Sequence, residues 1–158
     1  MTPSYQFNDL ICRDHRFNVP LDYQQPEQQQ LSVFVREVAS EQGIEQQLPY
    51  LSFFQGGPGF GASRPTGLDG WVGEACKYYR VLLLDQRGTA CSSPVNAQTL
   101  RHMSPAQQTE YLAHFRSDNI VRDAEFIRRQ LIGDAQWTIL GQSFGGFCVL
   151  RYLSAAPE

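Results

Sequence analysis

The sequence lacks the features that mark nucleic-acid, membrane, metal-dependent and disulfide-stapled proteins. Among its 158 residues, 13 Lys and Arg stand against 16 Asp and Glu, a formal net charge of -3. No basic excess is therefore present to steer the chain toward polyanions or anionic lipid. No segment approaches the roughly 18 apolar residues needed to cross a bilayer. The opening "MTPSYQFNDLICRDHRF" has no basic stretch leading into an apolar core, as a secretory leader would. Neither nucleic acid nor membrane is expected as a partner. The four cysteines, Cys12, Cys76, Cys91 and Cys148, are far apart, with no CxxC and no zinc-ligand spacing. They predict reduced thiols in a cytoplasmic protein with no metal or other cofactor. Repeats are absent too, and no motif bears on oligomeric state. The one biased stretch, "YQQPEQQQ" from Tyr23 to Gln30, reads as a solvated turn.

The length suffices for one core of sheet and helices and not for two. "LSVFVREV" (Leu31 to Val38) alternates apolar and polar residues, which predicts a half-buried strand near a sheet edge. "PYLSFF" (Pro49 to Phe54), "YYRVLLLD" (Tyr78 to Asp85) and "WTILG" (Trp137 to Gly141) are continuous apolar runs, as parallel strands covered on both faces require. Ser104, Pro105 and Gln107 form a capping box with Pro in the first turn, predicting a short helix through Tyr111 and Leu112 to Phe115. A second helix starts near Ser117 or Asp118, places Ile120, Val121, Ala124, Ile127 and Leu131 on one stripe, and ends at Gly133 and Asp134. Strands alternating with helices predict an α/β fold, a mostly parallel central sheet with an antiparallel N-terminal edge. Ligands of such sheets bind beyond the carboxyl ends of the strands, and three short motifs sit at three such ends.

Gly141-Gln142-Ser143-Phe144-Gly145 follows the Trp137 strand and precedes a helix-like stretch from Phe144 to Ala156. This is the strand, tight turn, helix context of a nucleophile elbow, in which flanking glycines relieve crowding and the helix N-terminus favours developing negative charge. Gln55-Gly56-Gly57-Pro58-Gly59 follows the Pro49 strand at the same end of the sheet. An acyl-transfer oxyanion needs two preorganised backbone donors, and the Gly57 and Phe144 N–H groups meet that description, with Pro58 stiffening the turn. Asp85-Gln86-Arg87-Gly88-Thr89 follows the Tyr78 strand. An Asp ahead of the serine is out of order for the triad of this fold class, so Asp85 and Arg87 are expected to tie down a loop through charge-assisted hydrogen bonds. Cys148, five residues beyond Ser143, is expected in the core and Cys91 on the surface.

In this order and spacing, "FFQGGPGFG", "LLLDQRGTACSSP" and "LGQSFGGFCVLRYLS" resemble the prolyl aminopeptidase (proline iminopeptidase) family of serine peptidases, its longer-chain branch most of all. The resemblance runs over essentially the whole chain, including "FNVPLDY" and "DNIVRDAEFIRRQL". It implies an α/β-hydrolase that releases N-terminal proline from peptides without a metal. Ser143 would be the nucleophile, the N–H groups of Gly57 and Phe144 the oxyanion hole, and Gly56, Gly57 and Gln142 substrate contacts. Two residues depart from the family pattern: Gln55 stands where many members have His, and Ala90, followed by Cys91, stands where a Gly usually follows the Thr. Ala90 restricts a turn that glycine accepts at no steric cost.

A base and an acid for Ser143 are what the sequence lacks most. His15, His102 and His114 all precede the serine, and only 15 residues follow it; each histidine is expected to be a surface or loop residue. The resemblance therefore implies that residues 1–158 are the N-terminal part of one α/β-hydrolase domain, with the family's Asp, His, cap and amine-binding acids beyond Glu158. Two other readings fit the motifs: an ester, lactone or amide hydrolase of the same fold, and a catalytically incomplete chain that binds a partner without turnover. Expressed alone, the chain is expected to self-associate through an uncovered apolar edge. A monodisperse monomer with a sharp thermal transition would contradict this.

Overall fold

In "RVLLLD" the side chains of Val81 and Leu83 point to one face of a strand and those of Leu82 and Leu84 to the other, and all four are buried. A strand apolar on both faces must be covered on both. The computed structural model, which describes residues 3–156, does this with helices on either side of one six-stranded sheet. The strands are β1 (Ser4–Phe7), β2 (Leu10–Pro20), β3 (Gln30–Ala39), β4 (Tyr50–Phe54), β5 (Arg80–Asp85) and β6 (Thr138–Gly141). The helices are α1 (Glu41–Glu45), α2 (Gly70–Ala75), α3 (Ala97–Leu100), α4 (Pro105–Ala113), α5 (Ser117–Ile132) and α6 (Phe144–Ala155). The spatial order is β1-β2-β3-β5-β4-β6. The motif-bearing strands β5, β4 and β6 run parallel, while β1, β2, β3 and β5 are joined antiparallel. The sheet is mixed, and its antiparallel side is broader than a single edge strand.

Two cores flank the sheet. On one face Val33, Val35, Phe54, Leu82 and Leu84 pack under Ile120, Val121, Ala124 and Ile127 of α5 and Cys148 and Tyr152 of α6. On the other, Leu51, Phe53, Val81 and Leu83 pack with Val72 of α2 and with Cys76. The expected α5 stripe is the buried one, apart from Leu131, which is only partly buried, and Gly133 ends the helix at φ 61. The capping box of α4 forms in both directions between Ser104 and Gln107. Tyr23 to Gln30 is an exposed turn up to the first residue of β3, Tyr23 itself being half-buried under Asp123.

Three expectations change. First, β3 lies inside the sheet, because β1 and β2 pair outside it. β2 carries Arg13, Asp14, His15 and Arg16 in succession, which breaks any apolar alternation, and it is held by cross-strand charge pairs instead. Asp14 takes two hydrogen bonds from Arg36, each 2.7 Å, and Glu37 takes bonds from His15 at 3.0 Å and Arg13 at 3.3 Å. Second, His15 is therefore a nearly buried strand residue and not a surface one. Burial of Glu37 pushes its carboxyl up, but the bond to His15 and the charges of Arg13 and Arg80 outweigh it and hold the group below its ordinary value. Third, β6 is half-open, with Leu140 42% exposed, and Phe147, Leu150 and Leu153 of α6 are 58, 67 and 50% exposed. Leu140 shares the sheet face of Phe53, while α6 covers the face of Phe54, so apolar side chains are exposed on both sides of the β6 edge.

Arg87 ties the elements at the carboxyl end of the sheet. Its guanidinium is fully buried and donates to Asp123 of α5 at 2.7 Å through Nε, to the carbonyls of Leu21 and His114 at 2.9 Å, and to that of Pro20 at 3.1 Å. Tyr23 adds a 2.8 Å bond to Asp123. Burial drives the Asp123 carboxyl upward, and the bonds from Arg87 and Tyr23 oppose this. Removing one partner of such a pair leaves the other charge buried alone. Arg87→Ala is expected to destabilise the intact polypeptide by about 3–5 kcal/mol, read as a shift in its denaturant midpoint. An unshifted midpoint would show that the pair is not structural.

Candidate active site

Register places the site. Phe54, the last residue of β4, pairs with Gly141, the last of β6, so Gln55-Gly56 and Gln142-Ser143 leave the sheet side by side. The Gln142 N–H still donates to the Phe54 carbonyl at 3.2 Å. α6 then turns back directly over this pair of strands. A Cβ on Gly145 would fall inside the Phe54 carbonyl oxygen, and one on Gly141 would fall inside the Gly145 carbonyl. Only glycine permits this approach, which is the physical content of the GxSxG spacing.

Between those glycines Ser143 adopts φ 54 and ψ -118. A serine in this sparsely populated region costs about 1–3 kcal/mol and persists because the glycine contacts over-determine it. The strain has a directional result: Ser143 is exposed at the head of the 12-residue α6, and its hydroxyl makes no capping hydrogen bond to that helix. The hydroxyl is thus left free at the positive end of a helix dipole.

Gly56 is pressed against the serine. A Cβ there would lie 3.2 Å from Ser143 Cβ and 3.0 Å from the Gln142 carbonyl oxygen. Gly57 follows at φ +129, a backbone open to glycine, and the Gly57–Pro58 peptide is cis. Among the described residues, neither the Gly57 nor the Phe144 N–H donates to a backbone acceptor in the turns and caps. Gln55 and Gln142 share the wall of a cavity of about 230 Å³ with Phe53, Arg64, Trp71 and Leu83. All five residues expected to form the site, Gly56, Gly57, Gln142, Ser143 and Phe144, therefore meet at one sheet end.

Asp85 and Arg87 have the structural roles expected of them, but not with each other. Asp85 is fully buried, pairs with Arg64, and accepts the Ala62 N–H at 2.9 Å and the Cys91 N–H at 3.0 Å. Ala90 takes φ 40, where glycine would be unstrained, and its methyl is accommodated because Gly61 faces it without a side chain. Arg64, Gly61 and Gln86 were not singled out by sequence reasoning, although the last two lay within quoted motifs. Cys148 is buried in the core, and burial raises its thiol to about 11; Cys91 is exposed. His15, His102 and His114 contact Glu37, Arg101 and, through the His114 carbonyl, Arg87 and Asn119; none is bonded to Ser143.

If the Gly145 crossing sets the elbow, Gly145→Ala should displace α6 from β4 and lower both stability and any Ser143-dependent turnover, the latter about 100-fold. Measured activity and unfolding midpoint both at the wild-type level would refute that.

Comparison with known proteins agrees with this geometry. A family model described as alpha/beta hydrolase fold matches residues 49–158. The chain is 51% identical over 155 residues to a proline iminopeptidase from Aeromonas sobria, covering 98% of this chain and 36% of that protein. It is 40% identical over 157 residues to a proline iminopeptidase from Aspergillus aculeatus, covering 93% of this chain and 35% of the other. The chain thus spans about a third of the length of the curated relatives it matches. A crystal structure of a putative acyltransferase from Salmonella enterica superposes with a TM-score of 0.57 at 18% identity, covering 97% of this chain and 40% of that one, a likeness of fold. With 110 of its 158 residues matched by the family model, the chain belongs to the alpha/beta hydrolase fold family.

Proposed function

We propose that the polypeptide carrying this chain is a serine hydrolase that releases N-terminal proline from peptides. The observation that carries the hydrolase part is Ser143, strained at φ 54, exposed, free of any capping bond and packed against Gly56. The substrate class rests on similarity to two proline iminopeptidases at 51 and 40% identity. The peptide is the partner this reading requires, and the unpaired cysteines favour a cytoplasmic enzyme.

In this reading Ser143 Oγ attacks the prolyl carbonyl carbon while its proton passes to a general base. The carbonyl π electrons move onto oxygen, and the N–H groups of Gly57 and Phe144 stabilise that charge more than they stabilise the ground-state carbonyl. Collapse expels the peptide amine, which takes the proton, and leaves a prolyl ester on Ser143. Water then hydrolyses the ester by the same steps in reverse roles. Gly56 keeps the approach to Ser143 open, and Gln142 lines the adjoining cavity where substrate would rest. The base and its orienting acid are assigned to residues outside Met1–Glu158, because none of the three histidines here is bonded to the serine.

The intact polypeptide should hydrolyse a proline arylamide, and Ser143→Ala should lower kcat by at least about 10³-fold without unfolding the protein. Undiminished hydrolysis by the variant would refute the nucleophile. Equal or faster hydrolysis of arylamides of other amino acids would refute the substrate class.

A further inference from the structure

Gln86 lies between two residues with clear structural partners, yet its own side chain reaches elsewhere. It is buried, 2% exposed, and its Nε2 donates to the Gln55 carbonyl at 3.0 Å. Its backbone is locked in turn: the Gln86 carbonyl accepts the Thr89 N–H at 3.1 Å and the Thr89 hydroxyl at 2.7 Å. The preceding Asp85 carbonyl accepts the Ser92 hydroxyl at 2.6 Å. A side chain so anchored is a fixed donor.

The acceptor matters because of where it sits. β4 ends at Phe54, whose carbonyl receives the last cross-strand N–H from Gln142. The Gln55 carbonyl lies one residue beyond the ladder, and the Gln86 amide supplies the donor the sheet no longer provides. The peptide unit is planar, so holding this oxygen also sets the direction of the Gly56 N–H and the entry angle of the Gly56-Gly57 run. Two adjacent glycines have the widest conformational freedom in the chain. Without an anchor at its start, that run would sample many orientations, and the Gly57 N–H would hold no single direction. Asp85 holds the far end of the same loop through the Ala62 N–H and Arg64.

We propose that Gln86 is a positioning residue for catalysis: by fixing the Gln55 carbonyl it orients the glycine loop that supplies one oxyanion donor. This rests on the serine hydrolase reading above. It acts on the transition state and not on substrate affinity, so it affects kcat and not KM.

The test is steady-state kinetics of the intact polypeptide on a proline arylamide, with Gln86→Met, which keeps length and removes the donor, and Gln86→Asn, whose amide falls short of the Gln55 oxygen. Both should lower kcat about 10- to 100-fold with KM within about twofold and a wild-type circular dichroism spectrum. Wild-type kcat in folded Gln86→Met would overturn the proposal, as would a loss confined to KM. Unfolding of both variants would overturn it as well, leaving Gln86 a purely structural residue. Failure of the underlying reading is recognisable separately: there the wild type is inactive or Ser143→Ala retains activity, and this proposal falls with it.

Discussion

The closeness of α6 to the end of β4 is the constraint on which the rest of the molecule depends. Gly145 lies so near the Phe54 carbonyl that no side chain fits between them. This single contact sets how α6 leaves β6, and therefore forces Ser143 into its left-handed turn. It also sets β4 and β6 as neighbours whose loops emerge together. The serine is presented by a packing requirement of the sheet and helix, and the strain in its backbone is stored by their combined stability.

A second constraint follows from the exposure of the loop after β4. The stretch from Gln55 to Gly61 is rich in glycine and contributes no buried apolar side chain, so burial cannot hold it. Three consecutive residues at the end of β5 supply polar ties instead. Asp85 takes the far end of the loop, Gln86 the near end, and Arg87 the N-terminal strand and α5. Each is buried and satisfied, and a charge placed so deep is tolerated only with such partners. One loop thus couples the oxyanion strand to the helix layer.

Much of this was legible in the sequence, for reasons that differ by element. β4, β5 and α5 announce themselves because their apolar residues are contiguous or fall on one stripe, and burial is the dominant force on them. The elbow was legible because steric crowding leaves glycine no substitute at Gly141 and Gly145. β2 was not, because its side chains Arg13, Asp14 and His15 are satisfied by partners on β3 some twenty residues away in sequence, and Arg16 by the Cys91 carbonyl 75 residues away, pairings that no local pattern reveals. The same pairing moved β3 from the edge to the interior and buried His15. Gln86 stood inside a recognised motif between two charged residues, and an uncharged amide gave no electrostatic reason to weigh it. α1, α2 and α3 have four to six residues each, too few to show a period.

The account stands on the claim that the Gln55–Gly57 loop and the Ser143 turn form one preorganised site for a tetrahedral oxyanion. The most direct measurement is a crystal structure of the intact polypeptide after reaction with an aryl phosphonate, which forms a covalent tetrahedral adduct on a reactive serine. The account predicts phosphorus bonded to Ser143 Oγ, with one phosphoryl oxygen about 2.7–3.1 Å from both the Gly57 and Phe144 nitrogens and the glycine loop unmoved. An adduct whose oxygen points away from both groups, or a phosphonate bonded to another residue, would contradict it.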